Sequence, residues 1–261
     1  PPASDWDPPV VVSEPAGSLD YVSLARVAGR PAVAWFPEGD ADLRYAIAKD
    51  VYGKEWNDSI PVVTGGDVGR HASLAEVDGR PAIAYYDEDT EELEYTRGTD
   101  ATGTSWTIPV SISTDGDVGQ FTSLDVVNGH PAVAFYKDGV GDLLYIRSDD
   151  SAGVAWSPEV VVDSDADVGQ FASLAVIDGH PAIAYYNATD KDVRFVEAQD
   201  PDGQSWGDPL IVDSRGDVGE FLDLENVNGR AGIAYLDRTY GYLKYAVLMT
   251  VPAGAQHWTL Y

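Results

Sequence analysis

A fourteen-residue pattern occurs five times in this sequence, and successive copies begin fifty residues apart. The copies read SLARVAGRPAVAWF, SLAEVDGRPAIAYY, SLDVVNGHPAVAFY, SLAVIDGHPAIAYY and DLENVNGRAGIAYL, and they begin at Ser23, Ser73, Ser123, Ser173 and Asp223. A fixed period of this length is typical of proteins that stack copies of one structural unit. The repeat therefore limits the fold to an array of like units, either open or closed into a ring.

Each unit has the pattern of four short β-strands. The first strand, Ser-Leu-x-x-Val, ends at a turn such as Asp78-Gly79, where glycine adopts a positive φ at little cost. The second strand alternates, so that Ile83 and Tyr85 lie on one face while Ala82 and Ala84 lie on the other. The third reads Asp-Leu-x-Tyr, and the fourth follows a tryptophan. No segment has the length or the period of a helix, so the predicted fold class is all-β.

A four-stranded unit of this size cannot bury both of its faces alone. Stacking units face to face covers the faces, and closing the stack into a ring leaves no end uncovered. The sequence therefore predicts a single closed five-bladed β-propeller with four antiparallel strands per blade, whereas an open solenoid would need polar caps. We expect one domain over residues 1–261, with a closing strand in 1–14 and repeats at about 15–64, 65–114, 115–164, 165–214 and 215–261.

Both ends of the chain resemble the fourth strand of a unit. DWDPPVVV, at residues 5–12, matches SWGDPLIV from Ser205. HWTLY, at the C-terminus, begins a second candidate for the same position, and it reaches only the start of the Val/Ile run of the other units. We therefore predict that the N-terminal strand completes the fifth blade, and that the C-terminal segment pairs beside it or ahead of it.

The composition excludes several kinds of partner. Asp and Glu number 44 against 16 Lys and Arg, which gives a formal net charge of −28. Such a surface repels phosphate backbones, so nucleic acid is not an expected partner. No apolar run approaches the roughly 18 residues of a membrane helix, so no membrane insertion is expected either. The chain has no cysteine, so disulfide bonds do not stabilise the fold. We also expect the protein to be a monomer.

A turn motif precedes the fourth strand in four of the five units. It reads Asp50-x-x-Gly53-x-x-Trp56 and recurs from Asp100, Asp150 and Asp200. The motif resembles the Asp-box turn of sialidase-like bacterial propellers, Ser-x-Asp-x-Gly-x-x-Trp, with one extra residue between Asp and Gly. The resemblance implies a propeller over the whole chain and a structural role for the turn. It does not imply sialidase activity, because those enzymes are six-bladed and bind a substrate carboxylate through an arginine triad, whereas the arginines here are scattered over unlike repeat positions.

The loops before the innermost strands are expected to point at the ring axis, where propellers commonly bind ligands. Positions that differ between copies have no common structural role, and they are the candidates for a site. The predicted ligand-binding set consists of Asp20, Tyr21, Arg70, His71, Gln120, Phe121, Gln170, Phe171, Glu220, Phe221 and Asp223. Aromatic rings with mixed polar neighbours suit sugars, whose C–H faces stack on the rings. The alternative is that these aromatic side chains simply fill the centre of the ring.

These observations favour a non-catalytic, lectin-like recognition module, extracellular or at the cell surface, that binds a glycan or a protein. Under this interpretation the chain is not an enzyme. One alternative is a glycoside hydrolase-type enzyme that uses Asp20, Glu220 and Asp223 as its carboxyl groups. The other is a structural scaffold without a ligand, which includes an engineered or reconstructed repeat protein.

No cofactor is expected, with one alternative. The segment DSDADVG places Asp163, Asp165 and Asp167 on alternate residues, a spacing that also occurs in calcium-binding loops. The later bidentate acid and the flanking helices of an EF-hand are missing. Calcium bound by these three carboxylates is therefore kept only as an alternative to a site without metal.

Overall fold

The structure is a computed structural model, and it describes residues 8–13, 18–39, 41–250 and 256–260. Over these ranges the chain forms twenty β-strands and no helix. A helix long and apolar enough to cross a membrane is accordingly not found among them. The strands form five four-stranded antiparallel sheets, and in each sheet they are ordered as in the sequence.

The strands are as follows. Blade 1 has β1 (Leu19–Val27), β2 (Arg30–Pro37), β3 (Leu43–Ile47) and β4 (Ile60–Val63). Blade 2 has β5 (Val68–Val77), β6 (Arg80–Asp87), β7 (Glu92–Arg97) and β8 (Val110–Ser113). Blade 3 has β9 (Val118–Val127), β10 (His130–Lys137), β11 (Asp142–Arg147) and β12 (Val160–Asp163). Blade 4 has β13 (Val168–Ile177), β14 (His180–Asn187), β15 (Asp192–Glu197) and β16 (Leu210–Asp213). Blade 5 has β17 (Val218–Asn226), β18 (Ala231–Asp237), β19 (Tyr242–Thr250) and β20 (Gln256–Leu260).

The five sheets are the blades of a five-bladed β-propeller, as the repeat predicts. The alternation in the second strand explains how neighbouring blades pack. In β6, Ile83 and Tyr85 are buried in the apolar cluster shared with blade 1, while Ala82 and Ala84 are buried in the cluster shared with blade 3. Large side chains of one blade thus meet small ones of the next, and each large buried side chain contributes roughly 1.5–3 kcal/mol to stability.

The Asp-box-like turn has the structural role that the resemblance implies. The Asp50 carboxylate accepts hydrogen bonds from the backbone N–H groups of Tyr52, Lys54 and Glu55. The Trp56 indole N–H donates to the carbonyl of Gly53 at 2.9 Å. In the next blades the tryptophan packs edge-on against a tyrosine of the preceding blade, as Trp106 does on Tyr45 with ring centroids 5.1 Å apart. The turn therefore stabilises the outer edge of the first four blades.

Two contacts recur at the interfaces between blades 1 and 2, 2 and 3, 3 and 4, and 4 and 5. In the first, a serine hydroxyl of one blade accepts the amide N–H of a buried leucine in the next, at 2.9–3.0 Å. The donor–acceptor pairs are Leu74 and Ser23, Leu124 and Ser73, Leu174 and Ser123, and Leu224 and Ser173.

In the second contact, a glycine with positive φ lies directly against the third strand of the preceding blade. A Cβ on Gly169 would lie 2.9 Å from Cα of Leu143, so the blades could not approach as closely with any larger residue. Gly119 has the same relation to Leu93, and both leucines are fully buried.

The boundary between blade 5 and blade 1, called the seam below, differs at both positions. Leu19 takes the place of the glycine, and Asp223 takes the place of the serine. Leu24, the counterpart of Leu74, is 70% exposed, and Leu243, the counterpart of Leu93, is 82% exposed. The seam is therefore not built from the contacts that join the other blades.

The fourth strand of blade 5 corrects the prediction made for the chain ends. The structure gives this position to the C-terminal β20, which pairs with β19 from Ala246↔Leu260 to Thr250↔Gln256. The N-terminal residues 8–13 form no strand, and residues 1–7 and 14 lie outside the described residues. Completion of blade 5 by the N-terminal strand is thus not shown.

Candidate functional site

One aromatic residue of each innermost strand has an unusual backbone conformation. Near the start of this strand, the pairing with the second strand shifts register at a bulge, for example between Arg70 and Ser73. The aromatic residue in each bulge has φ of 51–53°, a left-handed conformation that is strained for a side chain other than glycine. The five residues are Tyr21, His71, Phe121, Phe171 and Phe221. Such bulges redirect side chains next to functional sites.

The five aromatic side chains form a chain of rings around the propeller axis. Consecutive ring centroids lie 4.3 Å apart for Tyr21 and His71, 4.8 Å for His71 and Phe121, 4.7 Å for Phe121 and Phe171, and 4.8 Å for Phe171 and Phe221. These are the distances of favourable tilted aromatic pairs. The rings support one another, which offsets part of the backbone strain.

The rings line a cavity on the axis of the propeller. The axial cavity has a volume of about 500 Å³, within the range of small-molecule sites. Its lining consists of Asp20, Tyr21, Val22, His71, Ala72, Phe121, Thr122, Phe171, Ala172, Phe221 and Leu222.

The imidazole of His71 is the titratable member of the aromatic chain besides the Tyr21 phenol. Burial lowers the pKa of His71 to about 4, and the positive charge of Arg70 adds to this shift. His71 is therefore neutral at pH 7. It offers a ring face and hydrogen-bonding nitrogens to a ligand, and it brings no positive charge to the cavity.

Asp20 is the carboxyl group in the cavity wall, and the carboxyl group of Glu38, which follows β2, lies close enough to affect its pKa. Partial burial raises the pKa of Asp20, the neighbouring Glu38 carboxyl group raises it further, and the charge of Arg70 opposes the shift. Two neighbouring carboxyl groups disfavour each other's charged form, so the proximity of Glu38 and the raised pKa of Asp20 have the same physical origin.

The same two repeat positions carry opposite charges in two other blades. In blade 2, Arg70 lies 3.6 Å from Glu88. In blade 5, Glu220 accepts a hydrogen bond from Arg238 at 2.5 Å. Only blade 1 places two acids there, since blades 3 and 4 pair Gln120 with Asp138 and Gln170 with Ala188. Blade 1 thus has two acids at the positions where blades 2 and 5 have an ion pair. This departure from the repeat makes Asp20 and Glu38 candidates for a functional role.

The remaining predicted polar residues lie beside the cavity, outside its lining. Gln120 donates to Asp117 and Gln170 to Asp167, each at 3.3 Å, and Arg70 donates to Asp67 at 2.9 and 3.0 Å. These side chains support the loops between blades. The predicted set is thus divided, with the aromatic residues and Asp20 in the cavity wall and the polar neighbours behind it.

The other two predicted carboxylates lie at the seam. Glu220, in blade 5, is paired with Arg238, and its side chain is mostly buried. Asp223 is exposed and occupies the repeat position whose serine accepts a leucine N–H in the other blades. Of the described residues in the cavity lining, neither is a member.

The calcium alternative is wrong for the segment on which it rested. The Asp163 carboxylate is buried, accepts a hydrogen bond from Tyr185 at 2.5 Å and lies 3.5 Å from Arg194. Asp167 accepts the hydroxyl of Tyr136 at 2.9 Å. Nowhere in the described part of the chain do three or more His, Asp or Glu side chains form a group that could hold a metal ion.

Glu38 is the main residue that the sequence argument missed. The sequence did contain a signal. Positions 70 and 88 of blade 2, and 220 and 238 of blade 5, carry opposite charges, whereas the corresponding positions 20 and 38 of blade 1 are both acidic. The small lining residues Ala72, Thr122 and Ala172 were also missed. Simple alternation along a strand does not predict that these residues and their aromatic neighbours line the same cavity, because the bulge interrupts the alternation.

Comparison with known proteins bears on the fold. No protein-family model matches the sequence, and no curated protein matches it. The NanB sialidase from Streptococcus pneumoniae is similar in structure, with a TM-score of 0.65, 11% identity, and coverage of 98% of this chain and 63% of the sialidase. The exo-β-1,3-galactanase from Phanerochaete chrysosporium has a TM-score of 0.59 and 8% identity, over 91% of this chain and 62% of the galactanase. The chain spans less than two thirds of either protein.

A third similar structure matches in length as well. The GH43 β-xylosidase/α-arabinofuranosidase CoXyl43 from a compost metagenome has a TM-score of 0.53 and 11% identity, over 92% of this chain and 93% of that enzyme. Identities this low establish the shared propeller fold and not a shared activity.

These comparisons correct the functional expectation. All three similar proteins are glycoside-cleaving enzymes by name, and none is a recognition module. The interpretation as a non-catalytic, lectin-like module that is not an enzyme is therefore wrong as the main interpretation. The glycoside hydrolase alternative has the better support.

Proposed function

We propose that this propeller is a glycoside hydrolase whose active site is the axial cavity. The observation that carries the proposal is Asp20, a carboxyl group with a raised pKa in the wall of an aromatic cavity, with Glu38 beside it. Cleavage of a glycosidic bond needs a carboxylic acid to protonate the leaving oxygen, and that acid needs a raised pKa. The names of the structurally similar enzymes support the same reaction class.

Asp20 is assigned the role of general acid. In the proposed reaction its proton passes to the glycosidic oxygen as the bond between that oxygen and the anomeric carbon breaks. Glu38 does not contact the substrate in this scheme. Its carboxyl group raises the pKa of Asp20 and so favours the protonated form that the reaction needs, which makes Glu38 a positioning residue.

The second carboxylate is assigned to Glu220. It occupies the same repeat position as Asp20, in the blade across the seam, and Arg238 holds its side chain. In the proposed reaction Glu220 accepts a proton from a water molecule whose oxygen bonds to the anomeric carbon. The hydrolysis is then balanced, because the leaving sugar gains the proton of Asp20 and the other sugar gains the hydroxyl group. Asp223, the third carboxyl group of the sequence prediction, has no role in this reaction and serves as a control position.

The substrate class follows from charge. The described residues of the cavity lining include a carboxyl group and neither Arg nor Lys, and the whole chain has a net charge of −28. An acidic sugar would meet repulsion without a compensating cation. The five aromatic rings offer stacking faces to uncharged pyranose or furanose rings. The proposed substrate is therefore a neutral glycoside, in contrast to the sialidase that shares the fold.

An extracellular place of action is part of this proposal. Polymeric glycans do not cross membranes, so an enzyme that degrades them acts outside the cell. The acidic surface keeps such a protein soluble in salt solutions. Localisation of the full-length protein in its source cells, by fractionation, tests this point separately from the activity.

A panel of p-nitrophenyl glycosides tests the activity. The substrates are β-xyloside, α-arabinofuranoside, β-galactoside and α-sialoside, and the measurement is release of p-nitrophenol. We expect turnover of at least one neutral glycoside and none of the sialoside. Absence of turnover on every neutral member, and on neutral oligosaccharides followed by chromatography, would overturn the proposal.

A variant pair shows whether Glu220, which lies outside the cavity lining, takes part in the turnover. Glu220→Gln should lower kcat by about 100-fold or more, in keeping with the contribution of a general base. Asp223→Asn is the matched control from the same strand, and it should retain activity within a factor of a few. Equal rates for Glu220→Gln and the wild type would remove Glu220 from the mechanism.

A further inference from the structure

Blade 5 has a pair of exposed tyrosines that the other blades lack. Tyr240, in the loop between β18 and β19, and Tyr242, the first residue of β19, stack with their ring centroids 5.7 Å apart and their ring planes at 23°. The two side chains are 65% and 60% exposed. Adjacent aromatic side chains that remain at the surface are typical of binding surfaces, where a partner covers them.

The tyrosines depart from the repeat at both positions. The position of Tyr242 is acidic in every other blade, where it holds Asp42, Glu92, Asp142 and Asp192. The position of Tyr240 holds Asp40, Thr90, Val140 and Asp190 in the other blades. Four blades thus form without an aromatic residue at either position, so the two tyrosines are free to serve a role other than folding.

The loop that carries the pair is held from two sides. The backbone N–H of Asp217, in the inter-blade loop before β17, donates to the hydroxyl of Thr239 at 2.8 Å. The buried carboxylate of Asp237 accepts the N–H of Tyr240 at 3.2 Å, and its carbonyl accepts the N–H of Gly241 at 2.8 Å. A ligand that stacks on the rings therefore meets a preorganised surface, and ordering of the loop adds little to the entropic cost of binding.

The pair lies on the face of the propeller that contains the axial cavity. Arg238, in the same loop, donates to Glu220 of the innermost strand. Across the sheet, Leu243 pairs with Leu236, and Leu236 pairs with Glu220. Two strand spacings, about 10 Å, therefore separate the backbones of Leu243 and Glu220. Leu243 directly follows the pair and is 82% exposed, so the apolar surface continues toward the seam and the proposed active site.

We propose that Tyr240 and Tyr242 bind a neutral glycan chain by stacking, and that they hold the part of a polymeric substrate that extends out of the axial cavity. The inference rests on the proposed function for the class of its ligand. Because the rings stack on each other, each offers its outer face to the C–H face of a sugar. An acidic glycan is disfavoured here, since the chain has a net charge of −28.

Affinity electrophoresis tests the binding without relying on turnover. The probes are soluble arabinoxylan, linear arabinan and β-1,3-galactan, with polygalacturonate as the acidic control, and the parent protein is Asp20→Asn, in which hydrolysis is slowed. We expect the parent to bind at least one neutral polysaccharide and not polygalacturonate. Adding Tyr240→Ala with Tyr242→Ala should weaken this binding about tenfold. Tyr240→Phe with Tyr242→Phe should retain it, because phenylalanine keeps the stacking face.

Tyr52→Ala is the matched control. Tyr52 is 81% exposed, and it lies in the turn after β3, on the opposite face of the propeller. Its replacement should leave the binding unchanged. Equal binding by the parent and the alanine pair, an equal loss with Tyr52→Ala, or no binding to any of the three neutral polysaccharides would overturn the proposal.

Two further measurements separate this inference from its neighbours. In the otherwise wild-type protein, the alanine pair should raise KM for the polysaccharide about tenfold and leave the rates on p-nitrophenyl glycosides nearly unchanged. Binding that the alanine pair weakens, in a protein that cleaves no glycoside, would support the tyrosine site and overturn the hydrolase proposal. A dimer that the alanine pair dissociates in size-exclusion chromatography would instead assign the tyrosines to a second copy of the chain and overturn the glycan site.

Discussion

The four interfaces between blades 1 to 5 and the seam between blades 5 and 1 use the same repeat positions for different purposes. At the four interfaces, a buried leucine donates to a serine, and a glycine lies against a buried leucine or valine. At the seam, Leu24 and Leu243 are exposed, and Asp223 and Leu19 replace the serine and the glycine. A fixed set of side chains holds the blades together everywhere except at this boundary.

The difference shows where a repeat protein can place chemistry. A position that must pack against the next blade tolerates few residues, because interiors are close-packed and a glycine contact leaves no room for a side chain. Positions at the seam are free of that requirement. The three carboxyl groups of the proposed mechanism, Asp20, Glu38 and Glu220, all belong to blades 1 and 5. The proposed active site thus coincides with the boundary where the packing pattern is relaxed.

The largest expected effect comes from shortening the leucine of an interior interface. Leu143→Ala should lower the free energy of unfolding by about 3–4 kcal/mol, because it leaves a cavity among fully buried side chains. Leu243→Ala, its counterpart at the seam, should change it by less than about 1 kcal/mol. Urea denaturation followed by tryptophan fluorescence measures both. Equal losses would show that the seam is packed like the other interfaces and would break the comparison.

The glycine contact gives the next effect. Gly169→Ala should cost about 2–3 kcal/mol, because its φ is +104° and the added Cβ would lie 2.9 Å from the backbone of Leu143. Leu19→Ala, at the same repeat position in blade 1, should cost less than about 1 kcal/mol. Thermal denaturation compares the two variants with the wild type. A stable Gly169→Ala protein would mean that the close approach of the blades is not required.

The titration of His71 tests whether its imidazole is buried in the neutral form among the aromatic rings. Its pKa is lowered to about 4 in the fold, against an ordinary value near 6.5, so the unfolded chain binds a proton that the folded chain excludes. Stability is therefore present above about pH 6.5 and is lost as the pH falls toward 4. His71→Phe, which restores the residue of blades 3 to 5, should be more stable than the wild type by about 1–2 kcal/mol at pH 4.5 and nearly equal at pH 8. Parallel stability curves for both proteins would refute the burial of a neutral imidazole.

The smallest effect is expected for the serine hydrogen bond. Ser123→Ala removes the acceptor of the Leu174 amide at 2.9 Å and should cost about 1 kcal/mol. Asp223→Ala changes the same repeat position at the seam, and no measurable loss is expected. Hydrogen exchange at Leu174 in the first variant identifies the affected amide. A larger loss for Asp223→Ala would place a strong inter-blade contact at the seam.

The sequence predicts much of this architecture because the five copies of the repeat can be compared with one another. The five blades, their strand order, the alternation of Ile83 with Ala82 and the aromatic lining of the axis all follow from the fifty-residue spacing. Two features did not follow. The Asp20–Glu38 pair joins positions eighteen residues apart through the pairing of β1 with β2, and the bulge at Tyr21 decides which neighbours reach the cavity.

The functional prediction failed for a different reason. The regular repeat reflects the packing at the four interior interfaces, and it carries no information on whether the residues at the seam bind a ligand or cleave one. The occupant of the fourth strand in blade 5 was also only partly predicted, because β20 enters after two extra residues before Trp258 that shift the fifty-residue spacing.

The most direct test of the proposed mechanism measures Asp20→Asn on two neutral glycosides with different leaving groups. A general acid matters most when the leaving group is a poor one. We predict that kcat for an unactivated disaccharide falls by about 100-fold or more, while kcat for the matching p-nitrophenyl glycoside falls by less than about 10-fold. The wild-type rate on the disaccharide should also decline as the pH rises through the raised pKa of Asp20. Equal losses on both substrates, or no loss on either, would contradict the assignment of Asp20 as the proton donor.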